Sequence, residues 1–322
     1  MIYRSLGKNL QVSALGFGGA ALSGDEGGYG FGKISDEKAH DLLQYAYEKG
    51  VTLFDTAPIY GFGNSEKRIG RSLSGVSQIR KKIILVSKLG ATWNKEKVRI
   101  LDNSPDSVKR MLSESLENLK TDYLDLYMIH WPDAKNPLEK TMEALLRAKE
   151  EGLIRNIGVC NFDEFQLSRA LNVGNVDVLQ NPFSMLDITA KNELFTFIKE
   201  RNIGFMAYGT LAKGMLSGSF SNNKIFDSSD VRSLKGKMFE DLYNSLSPLL
   251  KSFFQIAKEC SLTPAQLALA WVLSHEEVGV ALCGAKSIEQ LDDLINQIQY
   301  SIPAEAKHIL DKLSVQFKKI RV

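Results

Sequence analysis

Residues 124–130 have the sequence LDLYMIH, a short apolar run of strand-forming residues that ends at a polar side chain, His130. Two other apolar runs end in the same way, one at Asp55 and one at Lys88, and Tyr60 follows Asp55 closely. Parallel strands in a barrel all point the same way, so side chains at their carboxyl ends converge on one face. An acid, a phenol, an amine and an imidazole gathered on one face predict a site that handles protons.

Strand and helix patterns alternate along the whole chain, which favours a parallel sheet. Eight strands fit this alternation, and that number favours a closed (β/α)8 TIM barrel over an open sheet. They are predicted at residues 14–18, 51–54, 83–86, 124–129, 157–160, 176–180, 203–208 and 279–283. Helices are predicted after an N-cap at Ser35, near 65–73, after Ser104-Pro105, and over 138–150, 165–171, 191–201, 246–259, 264–273 and 304–322.

Three further features complete the predicted architecture. An N-terminal β-hairpin is expected over residues 3–13, and a long polar loop over 211–237 follows the seventh strand. Residues 304–322 are expected to form a C-terminal helix with a basic tail. No linker of Pro, Gly or Ser composition divides the chain, so residues 1–322 are predicted to form a single domain.

Composition excludes several classes of function. Among the 322 residues, 40 Lys and Arg face 38 Asp and Glu, a net charge of +2 that argues against a general nucleic-acid binder. Three cysteines, at 160, 260 and 283, are too few and too scattered for a disulfide framework or a zinc site. No apolar run approaches the ~20 residues of a membrane helix, and no signal segment opens the chain. We therefore expect a cytoplasmic protein with a small-molecule substrate, and the sequence leaves its oligomeric state open.

Several of these segments together resemble the aldo-keto reductases, in particular their bacterial and potassium-channel β-subunit branch. The resemblance covers nearly the whole chain, and its specificity comes from all the motifs occurring in order. The motifs are Phe54-Asp55-Thr56-Ala57-Pro58-Ile59-Tyr60-Gly61, Ser87-Lys88, Met128-Ile129-His130-Trp131-Pro132, Gly158-Val159-Cys160-Asn161-Phe162 and Gln180-Asn181.

The resemblance implies reduction of aldehydes or ketones with NADPH, and NADH is the less favoured cofactor. Tyr60 would be the general acid, Lys88 and Asp55 would tune it, and His130 would orient the carbonyl. This agrees with elementary chemistry, because a carbonyl oxygen that gains negative charge must be protonated. A phenol has a pKa of about 10, and a neighbouring ammonium is expected to lower it. No metal is implied.

The resemblance also implies where the cofactor binds. Cys160, Asn161 and Gln180 match the positions that hold the nicotinamide carboxamide, although serine is usual at 160. Tyr208 matches the ring that stacks on the nicotinamide, and Gly209 stands where serine is common. Leu211 and Lys213 begin the long loop that could cover the pyrophosphate. Gly18 and Gly19 end the first barrel strand and join the cofactor candidates, although residues 16–19 are not a dinucleotide-binding fingerprint.

The final strand–helix turn resembles the family's adenosine-phosphate site. Gly284 opens this turn, and the helix that follows offers free backbone N–H groups, a natural site for an anion. Lys286 adds a charge suited to a 2′-phosphate, which favours NADPH. Gln290 and Asp293 match positions that contact adenine, whereas Leu294 stands where asparagine is usual.

Alternative interpretations concern both the protein and single residues. The chain could hold NADPH as a regulatory or redox-sensing protein on the same fold. It could also be a lyase or isomerase that binds a phosphorylated substrate at 284–287. Trp93, Trp131, Tyr29 and Phe31 line a substrate pocket or pack at the barrel rim, and residues 93–99, with Lys95 and Lys97, are expected to form a solvated loop.

Overall fold

The computed structural model describes residues 1–25, 27–220, 226–233, 236–298 and 301–320. The strands of this part of the chain are β1 (Tyr3–Leu6), β2 (Leu10–Ser13), β3 (Leu15–Gly18), β4 (Leu53–Asp55), β5 (Ile84–Leu89), β6 (Ala91–Trp93), β7 (Arg99–Leu101), β8 (Leu126–Ile129), β9 (Ile157–Cys160), β10 (Val178–Pro182), β11 (Gly204–Tyr208) and β12 (Val278–Cys283).

The helices follow the strands in the order expected of a βα alternation. They are α1 (Asp36–Glu48), α2 (Asn64–Ile69), α3 (Ser77–Arg80), α4 (Pro105–Leu119), α5 (Leu138–Glu150), α6 (Glu164–Leu171), α7 (Thr189–Glu193), α8 (Phe195–Arg201), α9 (Gly236–Glu259), α10 (Pro264–Leu273), α11 (Ile288–Gln297) and α12 (Ala304–Ile320). A π-helical turn, Gly70–Ser74, extends α2, and a 3₁₀ helix, Ala212–Ser217, follows β11.

Eight parallel strands close a barrel in chain order: β3, β4, β5, β8, β9, β10, β11 and β12. Closure occurs between β12 and β3, where Ala281, Leu282 and Cys283 lie opposite Leu15, Gly16 and Phe17. The (β/α)8 barrel predicted from the alternation is thus confirmed, together with the N-terminal hairpin of β1 and β2 and the C-terminal helix.

Two apolar layers hold the barrel together. Inside it, buried side chains from the strands pack with Leu6, Leu10 and Val12 of the hairpin, which therefore closes the end opposite the carboxyl ends of the strands. Outside it, the other face of each strand packs against the helices, in a cluster that includes Phe17, Phe54 and Trp271.

Several helix ends form where polar caps predict them. The side chains of Ser35 and Ser104 accept hydrogen bonds from the backbone N–H groups of Lys38 and Ser107, at the starts of α1 and α4. Gly50 follows α1 with a φ of 87°, a left-handed conformation that favours glycine and reverses the chain toward β4.

Other boundaries differ from prediction. The helix predicted over 191–201 begins at Thr189 and is divided at Leu194 into α7 and α8. The helix predicted from 246 begins ten residues earlier, at Gly236, and takes the last two residues of the predicted long loop. That loop contains the 3₁₀ helix. Within that loop, residues 221–225 and 234–235 lie outside the described residues, as do residues 321–322 of the predicted tail.

The stretch 93–99 was expected to form a solvated loop. That expectation is wrong for its two end residues, Trp93 and Arg99, which lie in paired strands. β6 and β7 pair antiparallel, with Trp93 opposite Arg99 and Ala91 opposite Leu101. Lys95, Glu96 and Lys97 form the exposed turn that joins them. This hairpin stands directly after β5, and therefore at the end of the barrel where the carboxyl ends of the strands meet.

Candidate active site

Strand alternation directs a set of polar side chains to the inside of the barrel at one end. Leu53, Val86 and Leu126 point to the interior, and residues two positions further along a strand share the same face. Asp55 and Lys88 therefore follow on the inner face, where the carboxyl ends of β4 and β5 meet. The same alternation applies to Cys160 of β9, Gln180 of β10 and Tyr208 of β11.

Asp55 and Lys88 form a buried ion pair. Lys88 Nζ donates to Asp55 Oδ1 at 2.7 Å, to Asp55 Oδ2 at 2.8 Å and to the Thr56 carbonyl oxygen at 2.8 Å, which uses all three ammonium protons. The Lys88 side chain is fully buried, and that of Asp55 is 4% exposed. Gln180 Nε2 also donates to Asp55 Oδ1, at 2.9 Å. Asp55 is thus the acceptor that joins three strands at the centre of the barrel.

Tyr60 lies in the turn after β4, half-buried, with its ring beside Lys88. Lys88 Nζ is 5.3 Å from the centre of the Tyr60 ring, so the two side chains interact through the ring face. The pKa of the Tyr60 phenol is raised well above its usual value, first because burial removes water and second because the Asp55 carboxylate lies near. The net direction is opposite to the predicted lowering by Lys88, because burial and the Asp55 carboxylate together raise this pKa.

His130 follows β8 and faces Tyr60. The centres of the two rings are 5.7 Å apart with the planes at 87°, and the imidazole stacks on Trp131 with the ring centres 3.7 Å apart. Burial, followed by the charges of Lys88 and Arg99, lowers the pKa of His130 well below its usual value, so the ring is neutral at pH 7. Its Nδ1 is buried and has no hydrogen-bond partner among the described residues. A neutral imidazole with an unused nitrogen can bind a polar group of a ligand.

The predicted nicotinamide positions form a connected set of polar groups. They lie beside the four residues described above, which together are called the tetrad: Asp55, Tyr60, Lys88 and His130. Asn161, at a φ of 61°, donates through Nδ2 to the His130 carbonyl oxygen at 2.8 Å. Asn161 Oδ1 accepts from the Tyr208 hydroxyl at 2.6 Å. Cys160 Sγ donates to Gln180 Oε1 at 3.3 Å, and burial raises the pKa of this thiol. The structure therefore brings Cys160, Asn161, Gln180 and Tyr208 together next to the tetrad.

The predicted phosphate region lies where three loops meet, after β3, β11 and β12. Lys286 Nζ donates to the carbonyl oxygen of Gly32 at 2.6 Å, so the ammonium is directed at the first of these loops. The second loop joins the first through the N–H of Val231, which donates to the Gly30 carbonyl oxygen at 2.8 Å. Lys286 is half-buried, and this burial lowers its pKa to about 8. The sequence did not indicate that Lys286 already has protein acceptors.

Gln290 and Asp293, predicted to contact adenine, also have protein partners. Gln290 Oε1 accepts from the backbone N–H of Lys286 at 2.9 Å, which fixes the turn before α11. Asp293 Oδ2 accepts from the Thr263 hydroxyl at 2.9 Å, which ties α11 to the start of α10. Both side chains therefore shape this region of the protein.

The remaining cofactor candidates are backbone positions. A side chain at Gly19 would come within 2.6 Å of the Asp55 carbonyl oxygen, so this glycine is required by close packing against β4. Gly18 and Gly284 pack against each other in the same manner. Gly209 is exposed at a φ of 67°, and a side chain there would meet nothing within 4 Å. Leu211 and Lys213 flank a tight turn whose Lys213 carbonyl oxygen accepts from Arg232 at 3.2 Å.

Aromatic side chains form a wall beside Tyr60 and His130. Tyr29 packs on Trp131 at 5.5 Å between ring centres, and Phe62 packs on Trp93 at 5.0 Å. All four rings are partly buried against Ala57, Ile59 and Ala91. These contacts fit both the substrate-pocket and the rim-packing interpretation of Trp93, Trp131 and Tyr29. Sequence reasoning missed Phe62 and Arg99, although their positions close to Tyr60 and Trp93 in the chain were available as signals.

Among the residues that the structure describes, no group of three or more His, Cys, Asp or Glu side chains is placed to bind a metal ion. No helix in the described part of the chain has the length and apolar character needed to cross a membrane.

Comparisons with known proteins agree with this geometry. A model of the aldo/keto reductase family matches residues 14–315. The aldo-keto reductase yakc of Schizosaccharomyces pombe, whose name specifies NADP(+), is 32% identical over 290 residues, 88% of this chain and 83% of the relative. The NADH-specific methylglyoxal reductase of Escherichia coli is 28% identical over 306 residues, 91% of this chain and 92% of the relative.

A solved structure shares the fold along nearly the whole chain. The glycerol dehydrogenase AKR11B4 of Gluconobacter oxydans superimposes with a TM-score of 0.84 at 26% identity, covering 98% of this chain and 95% of that one. The similarity therefore includes the barrel, the hairpin and the C-terminal elements.

Proposed function

Because this chain belongs to the aldo/keto reductase family and is therefore an oxidoreductase, we propose that it reduces aldehydes or ketones to alcohols with a nicotinamide cofactor. The observation that carries this proposal is the grouping of Tyr60, His130 and the buried Asp55–Lys88 pair at one end of the barrel. Such a group can supply a proton to an oxygen that becomes negative, which is what carbonyl reduction requires.

Tyr60 is the proposed proton donor. Its pKa is raised, so the phenol keeps its proton at neutral pH until a stronger base forms beside it. When the carbonyl carbon receives a hydrogen with its electron pair, the π bond breaks and its electrons move to the oxygen, which becomes such a base. The phenol then donates its proton to that oxygen, which completes the alcohol.

His130 is the proposed orienting residue. Its ring is neutral at pH 7 because burial and the nearby cations lower its pKa. A neutral imidazole donates through one nitrogen only and adds no charge of its own to the site. A hydrogen bond from the imidazole to the carbonyl oxygen would hold that oxygen near the Tyr60 hydroxyl.

The Asp55–Lys88 pair is proposed to act on Tyr60 after proton transfer. In the structure the pair is close to neutral as a unit, and its cation faces the Tyr60 ring. Once Tyr60 has lost its proton, the Lys88 ammonium can stabilise the phenolate, since opposite charges in a buried site interact strongly. The site returns to its starting state when the Tyr60 phenolate takes up a new proton.

The residues around the tetrad fit a nicotinamide cofactor. Asn161, Gln180 and Cys160 offer amide and thiol groups for a carboxamide, and Tyr208 offers a ring. The cofactor, when bound, supplies the hydrogen and the two electrons that the carbonyl carbon receives. We propose NADPH as the preferred form, because Lys286 places a cation beside the turn that opens α11. The two relatives named for their cofactors differ in this respect.

The test of this proposal is turnover by the unmodified protein. Mixing it with NADPH, or with NADH, and a panel of aldehydes and ketones should consume the reduced cofactor, followed by its absorbance. The control omits the carbonyl compound. A protein that binds the cofactor but consumes none with any carbonyl would count against a reductase.

A further inference from the structure

The hairpin of β6 and β7 directs one cation toward the aromatic wall. Its outward side chains, Val98 and Ile100, are 58% and 41% exposed. Neighbouring residues in a strand face opposite sides, so Arg99 and Leu101 share the other face of β7. Leu101 packs there with the wall, and the longer Arg99 side chain stays exposed. The hairpin therefore holds the Arg99 guanidinium at the mouth of the barrel.

Arg99 rests on two rings of this wall. Its guanidinium carbon is 5.2 Å from the centre of the Tyr29 ring and 5.0 Å from that of Trp131. Arg99 Nη1 also donates to the Tyr29 hydroxyl at 2.6 Å. A guanidinium stacked on aromatic faces is fixed in orientation and is more weakly hydrated than an ammonium, which prepares it to bind an anion.

Arg99 has no anionic partner in the described part of the chain. No Asp or Glu carboxylate of those residues forms a salt bridge with it, and the Tyr29 hydroxyl is its one described hydrogen-bond acceptor. By contrast, Arg68, Arg80 and Arg232 each pair with an aspartate. Most of the N–H groups of Arg99 are therefore available to a ligand.

A continuous stack links Arg99 to the proposed chemistry. The Trp131 ring contacts both the Arg99 guanidinium and the His130 imidazole, on which it stacks at 3.7 Å. His130 in turn faces Tyr60. A molecule whose carbonyl lies between Tyr60 and His130 and whose body lies along the aromatic wall would extend toward Arg99.

We propose that Arg99 binds a negatively charged group of the substrate, and that this protein prefers carbonyl compounds with an aromatic or apolar body and a carboxylate remote from the carbonyl. This inference rests on the proposed reductase function. The carboxylate accepts hydrogen bonds from the guanidinium in a bidentate arrangement that matches the geometry of both groups. The aromatic wall binds the body between the two ends.

The experiment compares two substrates that differ in charge: 4-carboxybenzaldehyde and its methyl ester, at saturating cofactor. We expect kcat/KM to be about tenfold higher for the acid, equivalent to about 1.4 kcal/mol. Arg99→Gln should bring the ratio of the two values close to one, and Arg99→Lys should retain part of it. Lys95→Gln, on the exposed turn of the same hairpin, is the matched control and should keep the wild-type ratio.

Salt gives a second measurement of the same attraction. Added salt should lower the acid's kcat/KM in the wild type, because ions screen the charge of an exposed arginine, and it should act less on the ester. In Arg99→Gln this difference between the substrates should disappear.

An acid-to-ester ratio that is the same in the wild type and in Arg99→Gln would overturn the inference. If kcat/KM then falls equally with both substrates, Arg99 is a structural support for Trp131.

Failure of the reductase proposal gives a different pattern. If the wild type turns over neither aldehyde, calorimetry with terephthalate measures binding at the anion site alone, because terephthalate has no aldehyde group. Binding that is lost in Arg99→Gln and kept in Lys95→Gln would support the anion site without the reductase. No binding to the wild type would overturn the anion site.

Discussion

At the scale of single residues, the site depends on the Lys88 ammonium, which is held in place by the Asp55 carboxylate. Lys88 is fully buried, and its three protons are bonded to Asp55 and Thr56. The sequence predicted that these side chains meet, because each follows a strand. It did not predict that Asp55 and Thr56 would accept all three protons of the Lys88 ammonium. The distance between such side chains is set by the stagger of neighbouring strands.

The buried pair should respond strongly to removal of one partner. Asp55→Leu leaves the Lys88 ammonium buried without its counter-charge, and we expect a loss of about 3–5 kcal/mol in the free energy of unfolding. Adding Lys88→Met removes the stranded charge, so the double variant should be more stable than Asp55→Leu alone. Urea unfolding of the two single variants and the double variant measures this. Losses that simply add would show that the two side chains do not stabilise each other.

The lowered pKa of Lys286 predicts that the preference for NADPH over NADH depends on pH. Its pKa is lowered to about 8 by burial, so its charge is lost as the pH rises through that value. Binding of a 2′-phosphate favours the charged form, so the preference for NADPH over NADH should fall by about tenfold between about pH 7 and about pH 9.

Calorimetric titration with both cofactors measures this preference. Lys286→Met, which has a similar volume and no charge, should show a weak preference at every pH. The prediction fails if the preference of the wild type is constant across this range, or if Lys286→Met retains it.

At the scale of elements, local signals explain which boundaries the sequence predicts. Ser35 and Ser104 were identified as caps because a hydroxyl before a helical pattern satisfies a free backbone N–H, and both do so in the structure. The division at Leu194 and the early start of α9 have no such signal in the sequence. The hairpin of β6 and β7 was missed because its strands are short and its turn is charged.

The start of α10 gives a test of capping. Thr263 accepts from the backbone N–H of Gln266 at 3.2 Å, and Gln266 Oε1 accepts from that of Thr263 at 3.0 Å. Thr263 also donates to Asp293. Thr263→Ala should lower the free energy of unfolding by about 1–2 kcal/mol, whereas Thr263→Ser should stay near the wild type. Urea midpoints of the two variants decide this, and equal losses for both would contradict a role for the hydroxyl.

At the scale of the whole molecule, the barrel was the most predictable feature and the site walls the least. Eight strand patterns with helices between them define the closed sheet, since each strand must bury both faces. The walls come from loops after the strands, and neither the position of Arg99 nor that of Phe62 follows from periodicity. Their contacts depend on how these loops cross the mouth of the barrel.

Closure of the barrel predicts cooperative unfolding. β12 pairs with β3, so the two ends of the chain cannot separate without opening the sheet. We expect residues 1–322 to unfold as one domain, in a single calorimetric transition. Circular dichroism and tryptophan fluorescence should report the same transition temperature. Trp271 reports on the packed outer layer, and Trp93 and Trp131 report on the site. Two separated transitions would show that the chain contains more than one domain.

The measurement that tests the account most directly is a single turnover by Tyr60→Phe. The variant is mixed with NADPH and an aldehyde that the wild type reduces, and cofactor affinity is measured in parallel. Loss of the phenolic proton should slow oxidation of the cofactor by about 10²–10⁴-fold while leaving its affinity nearly unchanged. A variant that reduces the aldehyde at the wild-type rate would show that the proton comes from elsewhere.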